Sequence, residues 1–195
     1  MEINFTQKYQ FSTRLSLHNK MLECNLLGLS MNNQLTWYNN TEKIIQKANT
    51  RMMILHKLYE FNIPMEDMVN IYILFIRSVL EYACVVWHSS ISSEESNNIE
   101  RVQKTALRII LKSDYDNYPS ALRLVSLSTL KERRKKLSLS FAKKCLKSDD
   151  NKDLFPQVEK LVNTRQHERF FVTPARTERL AKSTIPYLQR LLNEE

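Results

Sequence analysis

Cys84 and His88, one helical turn apart in CVVWH, are the only pair of side chains here whose types and spacing suit nucleophilic or metal chemistry. A thiolate–imidazole pair or two zinc ligands would use that spacing, yet no further Cys or acidic residue follows at an interval that completes a site. A packed cysteine beside a helix-end histidine needs nothing more. The acidic pairs Glu94-Glu95 and Asp149-Asp150 lack an apolar neighbourhood that would raise a carboxyl pKa, so they read as a helix start and a polar loop. No catalytic residue, metal ligand set or cofactor is expected from these spacings. What remains is charge. Arg101, Lys104, Arg108 and Lys112 recur at intervals of three and four, a row along one helix face with only Glu100 nearby to compensate it. Such a row suits phosphates, and it is also how an ordinary solvated face looks.

The balance of charge points the same way. The net charge of +8 is concentrated in the last third of the chain, where residues 129–195 carry 16 Lys+Arg against 9 Asp+Glu. A basic excess gathered at one end is the footprint of a nucleic-acid or anionic-surface partner, and equally of a basic tail that only keeps a protein in solution. A single glycine, Gly28, excludes phosphate-cradling loops, which need several glycines for close backbone approach. Three well-separated cysteines, Cys24, Cys84 and Cys145, with no CxxC pair and no signal peptide, lead us to expect a reducing intracellular compartment.

The elements that must position these residues are mostly helices. The stretch Asn70 to Ser89, NIYILFIRSVLEYACVVWHS, is apolar nearly all round and reads as one buried central helix. A membrane span is the rival, but Arg77 and Glu81 near its middle disfavour one. Before it, Asn39 with Glu42 resembles a capping box, and Ile44, Ala48, Met52, Leu55 and Leu58 share a face, giving a first helix from Thr41 to about Phe61. After it, Ser92 to Glu95 opens a third helix with Ile99, Val102, Ala106, Ile109 and Ile110 inward. Thr129 with Glu132 resembles a second capping box for a fourth helix whose core stripe reads Leu130, Leu137, Phe141 and Cys145 and whose other faces hold Arg133, Arg134, Lys135 and Lys136.

At the chain's start, Phe11, Leu15 and Leu17, then Leu22, Cys24 and Leu26, alternate on either side of His18, Asn19 and Lys20, the pattern of a hairpin. Gly28 then lets the backbone approach a neighbour or bend a strand. In the C-terminal segment Arg165, His167, Arg169, Phe170, Phe171, Arg176, Arg179 and Lys182 interleave. That composition suits single-strand binding, and it suits equally a loop that docks its two phenylalanines and leaves its arginines wet. A last amphipathic turn carries Tyr187, Leu188, Leu191 and Leu192. The fold class expected is mainly α: an N-terminal β-hairpin (1–38), a three-helix bundle (39–115) and a basic helical extension (116–195).

The succession LLGLSMNNQLTW (26–37), NTEKIIQKANTRMMILHKL (40–58), IYILFIRSVLEYACVVWHSSI (71–91), ERVQKTALRIIL (100–111), LSTLKERRKKLSLSFAKKC (127–145) and IPYLQRLLNE (185–194) resembles the C-terminal part of reverse transcriptases from non-LTR, LINE-type retrotransposons of the jockey-like kind. The resemblance covers about Phe11 to the end. It implies that the hairpin is the last block of the palm, with Leu27 and Gly28 beside the primer grip. It also implies that the three helices are a thumb closing over template–primer duplex, with Arg101, Lys104, Arg108 and Lys112 facing nucleic acid and Arg133, Arg134, Lys135 and Lys136 holding template beyond the thumb. The metal-binding aspartates of that family, including its [FY]-x-Asp-Asp motif, are absent, as are its fingers and most of its palm. The resemblance therefore implies a truncated fragment that binds nucleic acid irrespective of sequence, has the missing polymerase core as a further partner, and polymerises nothing alone. The alternative is a domesticated helical protein-interaction module whose basicity is incidental; neither reading involves a membrane or a small-molecule substrate.

Overall fold

A computed structural model describes residues 23–34, 36–158 and 170–194. Strands β1 (Glu23–Leu26) and β2 (Leu29–Asn32) form an antiparallel hairpin in which Leu26 pairs with Leu29. The turn is Leu27-Gly28, and both residues have positive φ, 48° and 80°, as the tight primed hairpin turns require. Gly28 thus makes the turn itself. The earlier pairing expected around His18 to Lys20 lies outside the described residues, apart from Cys24 and Leu26. The hairpin docks through polar contacts: the Ser30 N–H donates to Asn40 Oδ1 (3.3 Å), Lys43 pairs with Glu23 (2.9 Å), and the Tyr82 hydroxyl donates to the Leu27 carbonyl (2.8 Å).

Helix α1 runs Tyr38–Glu60 and buries Ile44, Ala48, Met52 and Leu55 along one side. Asn39 is inside it, not at its cap, so the expected Asn39–Glu42 box does not form; Glu42 instead accepts from the Tyr38 hydroxyl (2.8 Å). The return path is not the single helix expected. It comprises α2 (Met65–Ile71), a π-helical turn (Tyr72–Arg77), α3 (Ser78–Leu80), a break in which Ala83 takes φ 46°, and α4 (Cys84–Trp87). Widening the helix leaves the Phe75 carbonyl to accept from Arg51, and the Trp87 indole donates to the Tyr82 carbonyl across the break (3.0 Å). Nor is the stretch buried all round. Tyr72, Ile76, Leu80, Cys84 and Trp87 are core, while Leu74 (66 %) and Phe75 (52 %) are exposed on the opposite side.

Helix α5 (Ser93–Leu111) climbs back beside α1, its start fixed by the Ser92–Glu95 capping box. A short α6 (Tyr118–Leu124), capped by Asn117, leads to α7 (Leu130–Lys147), whose Thr129–Glu132 capping box is formed as expected. Each such cap stabilises its helix by about 1 kcal/mol. The small α8 (Glu178–Ala181) and α9 (Thr184–Asn193) close the chain, with Leu188, Leu191 and Leu192 of α9 turned inward. Ala121, Leu122 and Leu130 join the α1, α3 and α5 core, while Ala142, Cys145, Phe155, Phe170, Leu188 and Leu192 form a second cluster behind α7. Among the described residues no helix is long and apolar enough to cross a membrane.

The core face of α7 differs from the expected stripe. Leu130, Arg134, Ser138, Ala142 and Cys145 are buried, whereas Phe141 is exposed (44 %). Hydropathy placed an arginine outside and a phenylalanine inside, and packing reverses both. Arg134 is fully buried because its neighbours accept it: Nε donates to His88 Nδ1 (3.3 Å), Nη2 to Ser96 Oγ (2.8 Å), and the guanidinium lies 5.8 Å from the Trp87 ring.

A candidate nucleic-acid interface

The geometry of α5 sorts its residues sharply. Ile99, Val102, Gln103, Ala106, Leu107, Ile110 and Leu111 face the core, and Arg101, Lys104 and Arg108 fall on the other side, with Lys112 just past the helix end. Gln103, fully buried, was invisible to an apolar pattern. It accepts from the Tyr72 hydroxyl (2.6 Å) and donates to Tyr118 Oη (2.8 Å) and the Ser128 carbonyl (3.0 Å), a satisfied network that locks the rotation of α5 about its axis. The rotation of α5 is what aims the row outward.

Glu100 was the acid nearest the row. Its carboxylate accepts from the backbone N–H groups of Leu130 (3.1 Å) and Lys131 (3.3 Å) at the start of α7 and from the Tyr118 hydroxyl. There it meets the positive end of the α7 dipole and does not neutralise its basic neighbours. Burial, then the hydrogen bond to Glu100, keeps the Tyr118 phenol far above its ordinary pKa, so Tyr118 remains a proton donor.

Three of the four cations lie against tyrosine rings that the spacing of charges did not reveal. Lys104 sits 5.0 Å from the Tyr118 ring and Arg108 5.3 Å from the Tyr115 ring, and Lys112 covers Tyr59 of α1. A ring holds a long cationic side chain in place without discharging it. Two cavities open along the seam between α1 and α5. One of about 360 Å³ is lined by Tyr38, Glu42, Gln46, Asn49, Arg101 and Thr105, and one of about 530 Å³ by His56, Tyr59, Glu60, Arg108, Ile109 and Lys112. Acids share this seam with the cations: Glu42 and Glu95 line the first cavity and Glu60 the second.

The four basic residues expected at the start of α7 separate. Arg134 is core and reaches no ligand. Arg133 is bidentate on Glu81 (2.5 and 3.0 Å), a carboxylate also approached by Arg77 (3.8 Å), and Lys135 pairs with Glu194 (2.8 Å). Only Lys136 of that set is exposed with no ion pair among the described residues. The reason lies in the helical period: four consecutive residues span the full circumference of a helix and cannot share a face.

Leu27 and Gly28 sit at the hairpin tip against Tyr82, on the side of α1 that carries Asn40 and Lys43; the seam is lined by a different side of α1. Cys84 and His88 do not pair. Burial pushes the Cys84 thiol up to about 11, and burial with the neighbouring Arg134 charge lowers His88 to about 4, so both stay neutral and Nδ1 of His88 is occupied as an acceptor. Among the described residues no three His, Cys, Asp or Glu side chains are grouped to hold a metal ion. Phe170 docks in the second cluster and Phe171 is half-exposed; Arg165, His167 and Arg169 lie outside the described residues.

No family model, curated protein or solved structure matches the chain.

Proposed function

We propose that the chain is a nucleic-acid-binding module that grips the phosphates of a template–primer duplex along α5, in the manner of the thumb of a non-LTR retrotransposon reverse transcriptase, and that it carries no polymerase chemistry of its own. The observation that supports this reading is the row Arg101, Lys104, Arg108 and Lys112, held outward by the buried Gln103 network while Glu100, the acid within the row's own stretch of α5, is drawn away to cap α7. Cations braced by rings along a face that closes over a duplex contact backbone and shape, so binding is independent of sequence. Unrelated RNA–DNA hybrids measured by fluorescence anisotropy should therefore bind with similar affinity and a steep, common dependence on salt. Affinities that differ widely between sequences would refute it.

A second reading has its own observation. Leu74 (66 %) and Phe75 (52 %) on the π-helical turn, with Met53 (62 %) on α1 and Phe61 (74 %) just past its end, leave large apolar side chains in water. A protein-interaction module would use such side chains, and its binding would barely respond to salt.

A further inference from the structure

On α7 the faces divide the charges by function. The core side holds Arg134, Ser138, Ala142 and Cys145, and the flanks hold the paired Arg133 and Lys135. Diametrically opposite the core, Lys136, Lys143 and Lys147 line up within about 40° of one another, with Ser140 between them and Lys144 at the edge. These residues and Leu139 line one shallow depression to which no carboxylate among the described residues contributes. Glu132, which shares the N-terminal end of this side, is committed to the Thr129 capping box, and Asp149 beyond its other end pairs with Lys152 (2.9 Å).

We propose that this lysine face is a second nucleic-acid contact, binding the phosphates of one strand beyond the part gripped by α5. It rests on the reading of the chain as a nucleic-acid binder but involves a separate helix. Lys136 to Lys147 spans eleven residues, about 16 Å of helix, and a nucleic-acid strand presents a phosphate about every 3.4 Å of duplex axis. The face therefore covers about five phosphates, enough for Lys136, Lys144 and Lys147 each to find one. The lysines are compact point charges on flexible stems, suited to non-specific contact. An anionic membrane is disfavoured because an interfacial helix must bury an apolar face in lipid, and the apolar face of α7 is already committed to Leu188 and Phe155 in the second cluster.

The test uses the full chain with a hybrid duplex of about 30 base pairs, long enough to reach both helices at 3.4 Å per pair. The variant is Lys136→Gln with Lys144→Gln and Lys147→Gln, all exposed and all replaced by a good helix former, and a thermal melt verifies that it folds. The slope of log K against log salt should fall in magnitude by about 0.9 for each lysine that meets a phosphate, up to ~2.7. Lys144→Glu alone should weaken binding further than Lys144→Gln. An unchanged slope in the triple variant, with wild type still binding steeply, overturns the lysine face and leaves the α5 reading intact. A wild-type chain that shows no salt-dependent binding overturns both. Binding to phosphatidylserine vesicles that the triple substitution abolishes, with duplex binding unaltered, would assign the face to a membrane and overturn the proposal.

Discussion

Replacing Arg134 by methionine should leave the protein as stable as wild type, within about 1 kcal/mol, or make it more stable. Among the described residues the fully buried guanidinium has no carboxylate in contact and its Nη1 has no hydrogen-bond partner, and burial lowers its pKa against a weaker support from Glu100. Desolvating such a charge costs several kcal/mol, and a well-packed apolar side chain of similar length avoids that cost. Two hydrogen bonds are lost, to Ser96 and His88, each contributing about 1–3 kcal/mol, so the two effects nearly offset. Arg134→Ala loses the same bonds and leaves a cavity beside Trp87, and should cost a further ~2–4 kcal/mol. His88 reports the same environment. Its folded pKa, about 4, is below the unfolded value near 6.5, so between those values the unfolded chain binds a proton that the folded chain does not. Stability is therefore complete above about pH 6.5 and is lost as pH falls toward 4. The gap corresponds to an upper bound of about 3 kcal/mol, or about 2 after allowing for partial solvent exposure. With methionine at 134 the His88 pKa should rise but stay below 6.5, because burial is the larger cause. Urea denaturation at several pH values and an NMR titration of His88 measure both. A methionine variant less stable than the alanine variant, or a His88 that titrates normally in wild type, would refute the reasoning.

Other consequences follow from the same packing. Ile76→Asp places an unpaired carboxylate in the centre of the bundle and should cost several kcal/mol, so a cooperative melt near the wild-type temperature would show that this turn is not core. Tyr72→Phe removes the donor to buried Gln103 and should cost about 1–3 kcal/mol by urea denaturation, with no change in secondary structure by circular dichroism. Arg133→Gln breaks a bidentate bond to Glu81 and should lower stability while leaving the salt slope of hybrid binding unchanged; a flatter slope would return Arg133 to the interface. Primer and template with magnesium and nucleotides should remain unextended by this chain, and extension that survives re-purification would contradict the fragment reading.

Two helix starts were legible from local chemistry, although the same pattern at Asn39 and Glu42 forms no cap. Ser92 with Glu95 and Thr129 with Glu132 cap helices because hydroxyl and carboxylate reach the nearest free N–H groups whatever lies further off. Features set by tertiary contact were not. The break at Ala83 carries no glycine or proline to announce it, and it forms where Glu81 is held by Arg77 and Arg133, a residue 52 positions away. Arg134 entered the core because Trp87, His88 and Ser96 converge on it, while a hydropathy pattern preferred Phe141. The row on α5 was readable because cations three and four apart share a face. The basic run 133–136, which the resemblance assigns to template together, is divided by packing because consecutive residues of a helix point in different directions. The tyrosines bracing the row were hidden because Tyr59, Tyr115 and Tyr118 come from other segments.

The central claim, that the α5 row grips phosphates, is tested most directly by the salt dependence of hybrid-duplex affinity in wild type and in the variant Arg101→Ala with Lys104→Ala and Arg108→Ala. These side chains face away from the core, so a thermal melt should show the variant folded. Each phosphate contact removed should lower the magnitude of the log K against log salt slope by about 0.9, and Arg108→Ala alone should account for roughly 1. A slope that falls by ~2–3 in the triple variant, equally for unrelated sequences, is the expected result. A triple variant that binds hybrid duplex with the wild-type affinity and slope would contradict the claim and leave the row as a solvated helix face.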